Sequence, residues 1–311
     1  MAKGPPHTLR EKGHVQVGHN RQSVPIKLYY EMHGNGPEKV VLIMGLSTPC
    51  SAWDVQAQFL AENGKYTVII FDNRGMGFSD SPLGLYSTSQ MALDAFDLLD
   101  HFGWKEKVHL VGISMGGMIS LEMVDAEPSR FQSLTLTSTT AKRNIPTWAA
   151  MSTLSKIALY YRDPKDQLNA AIELVYPKHW LDQKSENPKY DTNKDFAIHG
   201  FISHVVRSQR QKFLANIGQT AACLRHHVSD DRLLRIKQTG LPILIVTGTI
   251  DNLVRPESSY HLKRVLDNAR LEVFEGSGHA IPEEQPARYN TLLVEHFDHS
   301  NGFSHSSSSK L

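Results

Sequence analysis

Cysteine is scarce in this chain: Cys50 and Cys223 are the two present among 311 residues. Two thiols cannot build a disulfide framework, and no C-x-x-C or paired Cys/His spacing marks a zinc site. Neither a metal nor another cofactor is expected, and the chain reads as intracellular. Long hydrophobic runs are missing too. No apolar stretch approaches the roughly 20 residues of a membrane span, and the opening MAKGPPHTLREKGH lacks the apolar core of a signal peptide. A net charge of +1 gives no electrostatic footprint for nucleic acid.

That near-balance hides an asymmetry. Between residues 142 and 237 there are 16 Lys/Arg against 9 Asp/Glu, a net of +7 that leaves −6 for the remainder. The segment reads either as a solvated basic face or as a surface for an anionic ligand, peripheral membrane contact included. With 40% hydrophobic residues the chain can bury a full core, and its length points to one large domain carrying an insertion.

The chain is organised around residues 107–128, KVHLVGISMGGMISLEMVDAEP. They read as a buried strand over 108–112, a tight turn at Ser114 and a helix ending before Pro128. Gly112 and Gly116 flank Ser114 in a G-x-S-x-G pattern, because a side chain at either place would collide with backbone when strand bends into helix. The bend lifts the Ser114 hydroxyl out of the sheet, beside the positive end of the helix dipole.

Elsewhere the rhythm is strand then helix. The runs HVQV and PIKLYYEMHG predict an edge hairpin, and KVVLIM, YTVIIF, FQSLTLTS, LPILIVT and residues 270–274 read as strands of a mostly parallel sheet covered by helices on both faces. A helix capped by Ser87 and Gln90 carries Asp94, Asp97 and Asp100 on what reads as a solvated face. From 142 to 237 no strand is evident, and this segment is expected to be a helical cap inserted into a core made of 1–141 and 238–311. Residues 1–12 and 299–311 are expected to be flexible.

A serine hydroxyl needs a base, and the base needs an orienting carboxylate, both in loops at the same sheet edge. Asp251 follows LPILIVT, and His279 sits after Gly276 and Gly278 in the loop beyond the last strand, in the order Ser, acid, His. The loop after FQSLTLTS holds Thr139, Thr140 and Ala141, with no acid. Most of the 16 histidines, among them His226, His227, His296 and His305, read as surface residues. Two backbone N–H donors would face the oxyanion: Met115, after the nucleophile, and Leu46, after KVVLIMG, although the Met44 and Leu46 side chains read equally as pocket wall. Within the cap, Trp148, Met151 and Leu154 recur three apart and are candidates for an apolar acyl pocket, or simply cap core.

With GISMGG around Ser114, FDNRGMGFSD, TGTIDNLV and GSGHAIPEEQP, the chain resembles the α/β-hydrolase superfamily from about residue 24 to 297, apart from the cap. It is most similar to uncharacterised esterase- or lipase-like members, with Met44-Gly45-Leu46 where many relatives have a His-Gly pair. A serine at the elbow argues against epoxide hydrolases and haloalkane dehalogenases, which use aspartate there. The resemblance implies an α/β-hydrolase fold and a serine hydrolase, and leaves the substrate open. Asp72 and Arg74 are expected to tie their loop together rather than to catalyse. The expected activity is hydrolysis of a carboxylic ester, or an acyl thioester, of a small or lipid-like substrate. Alternatives are a ligand-binding receptor with little turnover, carbon–carbon bond hydrolysis, or cofactor-free oxidation on the same residues. The final Ser309-Lys310-Leu311 spells the peroxisomal targeting tripeptide, so a peroxisomal import receptor is an expected partner and the peroxisomal matrix the expected location.

Overall fold

The computed structural model describes residues 7–19, 21, 24–143 and 146–307. Among these, eight strands form one sheet: β1 (Leu9–Val17), β2 (Ile26–His33), β3 (Glu38–Ile43), β4 (Tyr66–Phe71), β5 (Val108–Ile113), β6 (Phe131–Thr137), β7 (Ile243–Gly248) and β8 (Arg270–Phe274). Their order is β1-β2-β4-β3-β5-β6-β7-β8. The β1–β2 and β2–β4 pairs are antiparallel, and every later pair is parallel. This is the mostly parallel sheet expected from the strand–helix rhythm, in the α/β-hydrolase fold that the resemblance implies.

The continuous apolar strands are explained by two covered faces. Val41, Ile43, Ile69, Phe71, Val108 and Leu110 join one core with helices Thr88–His101 and Met115–Ala126. Their alternates Val40, Leu42, Val68, Ile70, Val111 and Ile113 join the other with helices Asp54–Glu62 and Pro286–Ser307. Alternate side chains of a strand leave by opposite faces, so a sheet sandwiched this way needs an apolar residue at every position.

Some expectations need correction. The first twelve residues are not uniformly loose, because β1 starts at Leu9; its polar character is that of an edge strand with one exposed face. The closing helix does not stop before 299 but runs through Pro286–Ser307. Residues 309–311 lie outside the described residues. Asp94, Asp97 and Asp100 do not form a uniformly solvated face: Asp100 is exposed and Asp97 half-buried, but Asp94 is not on the surface. Asp94 is buried and grips the buried Arg74, Asp97 accepts from the Gly18 N–H at 2.7 Å, and Asp100 accepts from Arg130 at 2.8 Å. The buried guanidinium, supplied by a distant loop, decides this: it needs a counter-ion away from water.

Between β6 and β7 the regular elements among the described residues are helices, with one isolated bridge, Lys184 to Thr192. Its last helix, Asp230–Gln238, belongs to the core instead. Leu233 and Ile236 enter the core cluster, and Arg232 reaches Glu122 at 2.6 Å and Asp125 at 2.7 Å. The insertion therefore ends earlier than the 237 expected. The charge asymmetry is in part an internal glue, since Arg207, Arg235 and Lys237 also pair with the core acids Asp54, Asp125 and Asp267.

Candidate functional site

Ser114 stands where β5 turns into helix Met115–Ala126, with φ 55° and ψ −121°. Such a conformation costs a side-chain-bearing residue about 1–3 kcal/mol and persists only where the surroundings impose it. They do so here. The Ser114 N–H donates to the Thr137 carbonyl at 2.9 Å, and its own carbonyl accepts from Thr139 Oγ1 at 2.7 Å. A Cβ on Gly116 would sit 2.0 Å from the Ile43 carbonyl oxygen, and one on Gly112 would sit 2.4 Å from that of Gly116. The flanking glycines thus let three backbone segments touch where the turn is made.

Asp251 follows β7 and His279 follows β8, at the same carboxyl edge of the parallel strands as Ser114. His279 Nδ1 lies 2.8 Å from Asp251 Oδ2. The other oxygen of Asp251 accepts the N–H groups of Leu253 and Val254, each at 2.9 Å. An ionised carboxylate can only accept, so the proton sits on Nδ1 and Nε2 is left as the basic nitrogen. The Val175 carbonyl, at the end of insertion helix Pro164–Val175, holds the His279 backbone N–H at 3.0 Å. Burial disfavours the charged imidazole, but Asp251 and Glu284 outweigh it and raise the His279 pKa above its ordinary value.

Glu284 escaped the sequence reading. It is buried beside this pair, accepts the Gly278 N–H at 2.9 Å, and burial pushes its carboxyl up to about 7. Nothing in the pattern distinguishes it from a surface acid at a helix start.

The loop after β3 is fixed from several sides. Met44 O accepts from Asn73 Nδ2 at 2.9 Å, and Leu46 O accepts from Thr48 Oγ1 at 3.1 Å. Ser47, at φ 56°, turns the chain; its N–H donates to Gln219 Oε1 at 2.9 Å and its hydroxyl accepts from Asn216 at 2.7 Å. Gln219 is fully buried and also donates to the Arg74 carbonyl at 2.8 Å, so insertion helix Phe213–Arg225 braces both loops that border the site. Gly45 meets Ser114 directly, because a Cβ there would lie 3.6 Å from Ser114 Oγ. Met115 opens its helix, so its N–H has no intrahelical acceptor. Gly45, which precedes Leu46, and Met115 therefore adjoin Ser114 from neighbouring segments.

The expected loop role of Asp72 and Arg74 is seen in detail. Asp72 accepts the N–H groups of Cys50 at 2.8 Å and Phe78 at 2.9 Å, and Arg74 is locked onto Asp94. The candidate pocket wall is a correction. Trp148 is 82% exposed and Leu154 is 42% exposed, with Met151 half-buried, so the first two line no closed chamber. The helix they occupy, Trp148–Leu159, is tied beside the site at its start, where the Thr147 N–H reaches the Asn252 carbonyl at 3.1 Å. His226 and His296 are buried, not surface residues, and burial lowers both pKa values to about 3. A cavity of about 190 Å³ lined by Glu31, Cys50, Asp72 and Arg207 includes none of Ser114, Asp251 and His279.

The chain resembles known proteins along most of its length. A protein of Variovorax paradoxus (strain S110), provisionally named carbamate hydrolase RutD, is 29% identical over 271 residues, covering 86% of this chain and 95% of the relative. The 3-oxoadipate enol-lactonase 2 of Acinetobacter baylyi is 24% identical, covering 85% of this chain and 91% of its own. Among solved structures, a thermophilic esterase from Thermogutta terrifontis superposes with a TM-score of 0.72 at 23% identity, covering 93% of this chain and 99% of the esterase. The family model described as alpha/beta hydrolase fold matches residues 39–286, which takes in Ser114, Asp251 and His279, and the chain belongs to that family.

Proposed function

We propose that the protein is a serine hydrolase of carboxylic esters, working through Ser114, His279 and Asp251. The observation that carries this reading is the Asp251–His279 hydrogen bond of 2.8 Å, placed at the sheet edge where the strained turn presents Ser114. The named activities of the relatives point the same way: an ester, an enol-lactone and a carbamate all have an acyl carbon bearing a heteroatom leaving group.

In this mechanism Ser114 Oγ attacks the acyl carbon as its proton passes to His279 Nε2. Asp251 holds the resulting imidazolium. The oxyanion takes hydrogen bonds from the N–H groups of Met115 and Leu46, and loss of one such donor typically costs about 10²–10³ in rate. Collapse expels the alcohol, or the thiol of a thioester, which leaves with the proton from His279. Water, activated by the same nitrogen, then frees the acid and restores Ser114.

Labelling by a fluorophosphonate that is lost in Ser114→Ala tests the nucleophile. A wild-type protein that stays unlabelled contradicts the proposal and favours a ligand-binding role. p-Nitrophenyl esters of rising chain length, run beside acyl-CoAs, test the substrate class; a preference for acetate would count against a lipid ester. Ser309-Lys310-Leu311 supports a peroxisomal address, and a fluorescent fusion lacking Leu311 that stayed punctate would refute it.

A further inference from the structure

Helices Asn193–Val206 and Phe213–Arg225 turn apolar faces outward. On the first, Phe201, Ile202, Val205 and Val206 are exposed, at the i, i+4 spacing of one face. On the second, Phe213, Ile217 and Leu224 make a matching stripe, with Leu214 beside them; Phe213 is 77% exposed. These faces point away from the core because the opposite faces are anchored to it. His204 meets Ser51 at 3.0 Å and Arg207 pairs with Asp54, while Gln219 and Ala222 bury the inner side of the second helix. Both anchors fall within residues 47–54, so the two helices stand on one stretch of the site's edge. Leu83 and Leu85, largely exposed, continue the apolar surface: the neighbouring Tyr86 N–H bonds to the Gly218 carbonyl at 3.2 Å.

The segment that joins the two helices, and the second helix itself, carry charge of one sign. No Asp or Glu occurs between Asp195 and Asp230, whereas the linker of the two helices holds Arg207, Arg210 and Lys212. Arg207 is used by Asp54, but Arg210 and Lys212 are exposed and have no carboxylate partner among the described residues. Exposed aliphatic and aromatic side chains next to unpaired cations are the composition of an interfacial surface, which gains from apolar insertion and from anionic headgroups together. A second copy of the chain fits less well. A two-fold contact would set this patch against itself, bringing cations to cations with no acid to meet them.

We propose that the outer face of these two helices, with Arg210 and Lys212 at its edge, docks the protein on anionic lipid surfaces. Docking sets the loop of Leu46 and Ser47 toward the bilayer, which would bring apolar substrates to the site from the lipid side. The proposal stands on the surface alone and survives if the serine chemistry proves otherwise.

Co-sedimentation of the full chain with vesicles tests it, using phosphatidylcholine alone and an equal mixture with phosphatidylglycerol. Wild type should bind the anionic vesicles more tightly, with binding weakened by salt. Arg210→Glu with Lys212→Glu should weaken anionic binding by roughly fivefold or more per cation lost. Phe213→Ser with Leu214→Ser should weaken binding to both vesicle types. Hydrolysis of a soluble p-nitrophenyl ester and the melting temperature should stay as in wild type for both variants, which separates docking from folding. The proposal is overturned if wild type fails to sediment with anionic vesicles, or if the charge variant binds them undiminished. It is equally overturned if light scattering shows a dimer that Phe213→Ser with Leu214→Ser dissolves, since the face would then be covered by a second chain.

Discussion

The turn at Ser114 and the helices of the insertion use opposite means of positioning. At the turn, backbone touches backbone: β3, β5 and the following helix meet where Gly112 and Gly116 leave no room for a single carbon. In the insertion, helices present large apolar side chains to solvent and meet the core through polar links, such as Gln219 to Ser47 and Arg207 to Asp54, and a small apolar cluster of Ile172, Tyr176, Leu181 and Ala197 with Ala280. The first region fixes the reacting atoms to within the tolerance of packed atoms. The second holds them through side-chain contacts and hydrogen bonds rather than backbone against backbone, and its outer surface is free for other work.

The largest effect should come from the rigid side. Asp251→Asn keeps an oxygen for the Leu253 and Val254 N–H groups but can turn an NH₂ toward His279 Nδ1, which drives the imidazole proton onto Nε2. A tautomer inversion of this kind costs about 10⁴ in kcat. Ester hydrolysis at saturating substrate would measure it, with circular dichroism to verify that the fold is unchanged. A loss below tenfold would mean that the pairing with His279 is structural only.

The links of the flexible side come next. Gln219→Leu leaves the Ser47 N–H and the Arg74 carbonyl unpaired in a buried place, which costs stability by about 1–3 kcal/mol. Because the Leu46–Ser47 loop loses its brace, kcat should fall about tenfold with KM little changed, the signature of an interaction made mainly in the transition state. An unchanged kcat with the same loss of stability would show that Gln219 serves folding and not the oxyanion loop.

A smaller effect separates the charges that tune His279. The raised His279 pKa implies that kcat/KM climbs with pH through a midpoint above the ordinary imidazole value, as the base becomes neutral. Glu284, with a carboxyl pushed up to about 7 by burial, contributes negative charge as it ionises. Glu284→Gln keeps an acceptor for the Gly278 N–H and removes that charge, so the midpoint should move down. Stability carries a matching sign. The raised carboxyl pKa means the folded state holds a proton that the unfolded chain gives up, so its contribution falls as pH rises toward 7, and the Gln variant should gain on wild type over that window in urea melts.

The contrast between the two regions also explains what the sequence could disclose. β4 was readable to its ends because YTVIIF is bounded by loop residues and is buried on both faces, which leaves a nearly unbroken apolar run. The edge strand β8, RLEVF, carries Arg270 and Glu272 and was legible mainly from its place between a helix and a glycine loop. Ser114, Asp251 and His279 stood out because each follows a strand at the same edge of the sheet. Gln219 and Glu284 did not, since a polar residue on a helix gives the same pattern whether it braces a loop or faces water. Asp94 misled for that reason, its partner Arg74 being far away in sequence. In the insertion, apolar residues at helical spacing no longer imply a buried face, as Trp148 and Leu154 make plain.

Trp148 gives the mildest test of this last point. A tryptophan whose periodicity announces core would cost about 3–5 kcal/mol on truncation if it were buried. At 82% exposure it has little packing to lose, and Trp148→Ala should change stability by no more than about 0.5 kcal/mol. Its helix is tied to the site through backbone, by the Thr147 N–H on the Asn252 carbonyl at 3.1 Å, which the substitution leaves in place. Hydrolysis of a short soluble ester should therefore be unaltered as well. Urea denaturation and a p-nitrophenyl acetate assay decide the matter, and a loss of several kcal/mol would place Trp148 inside a packed cap after all, bringing the insertion closer in kind to the core beneath it.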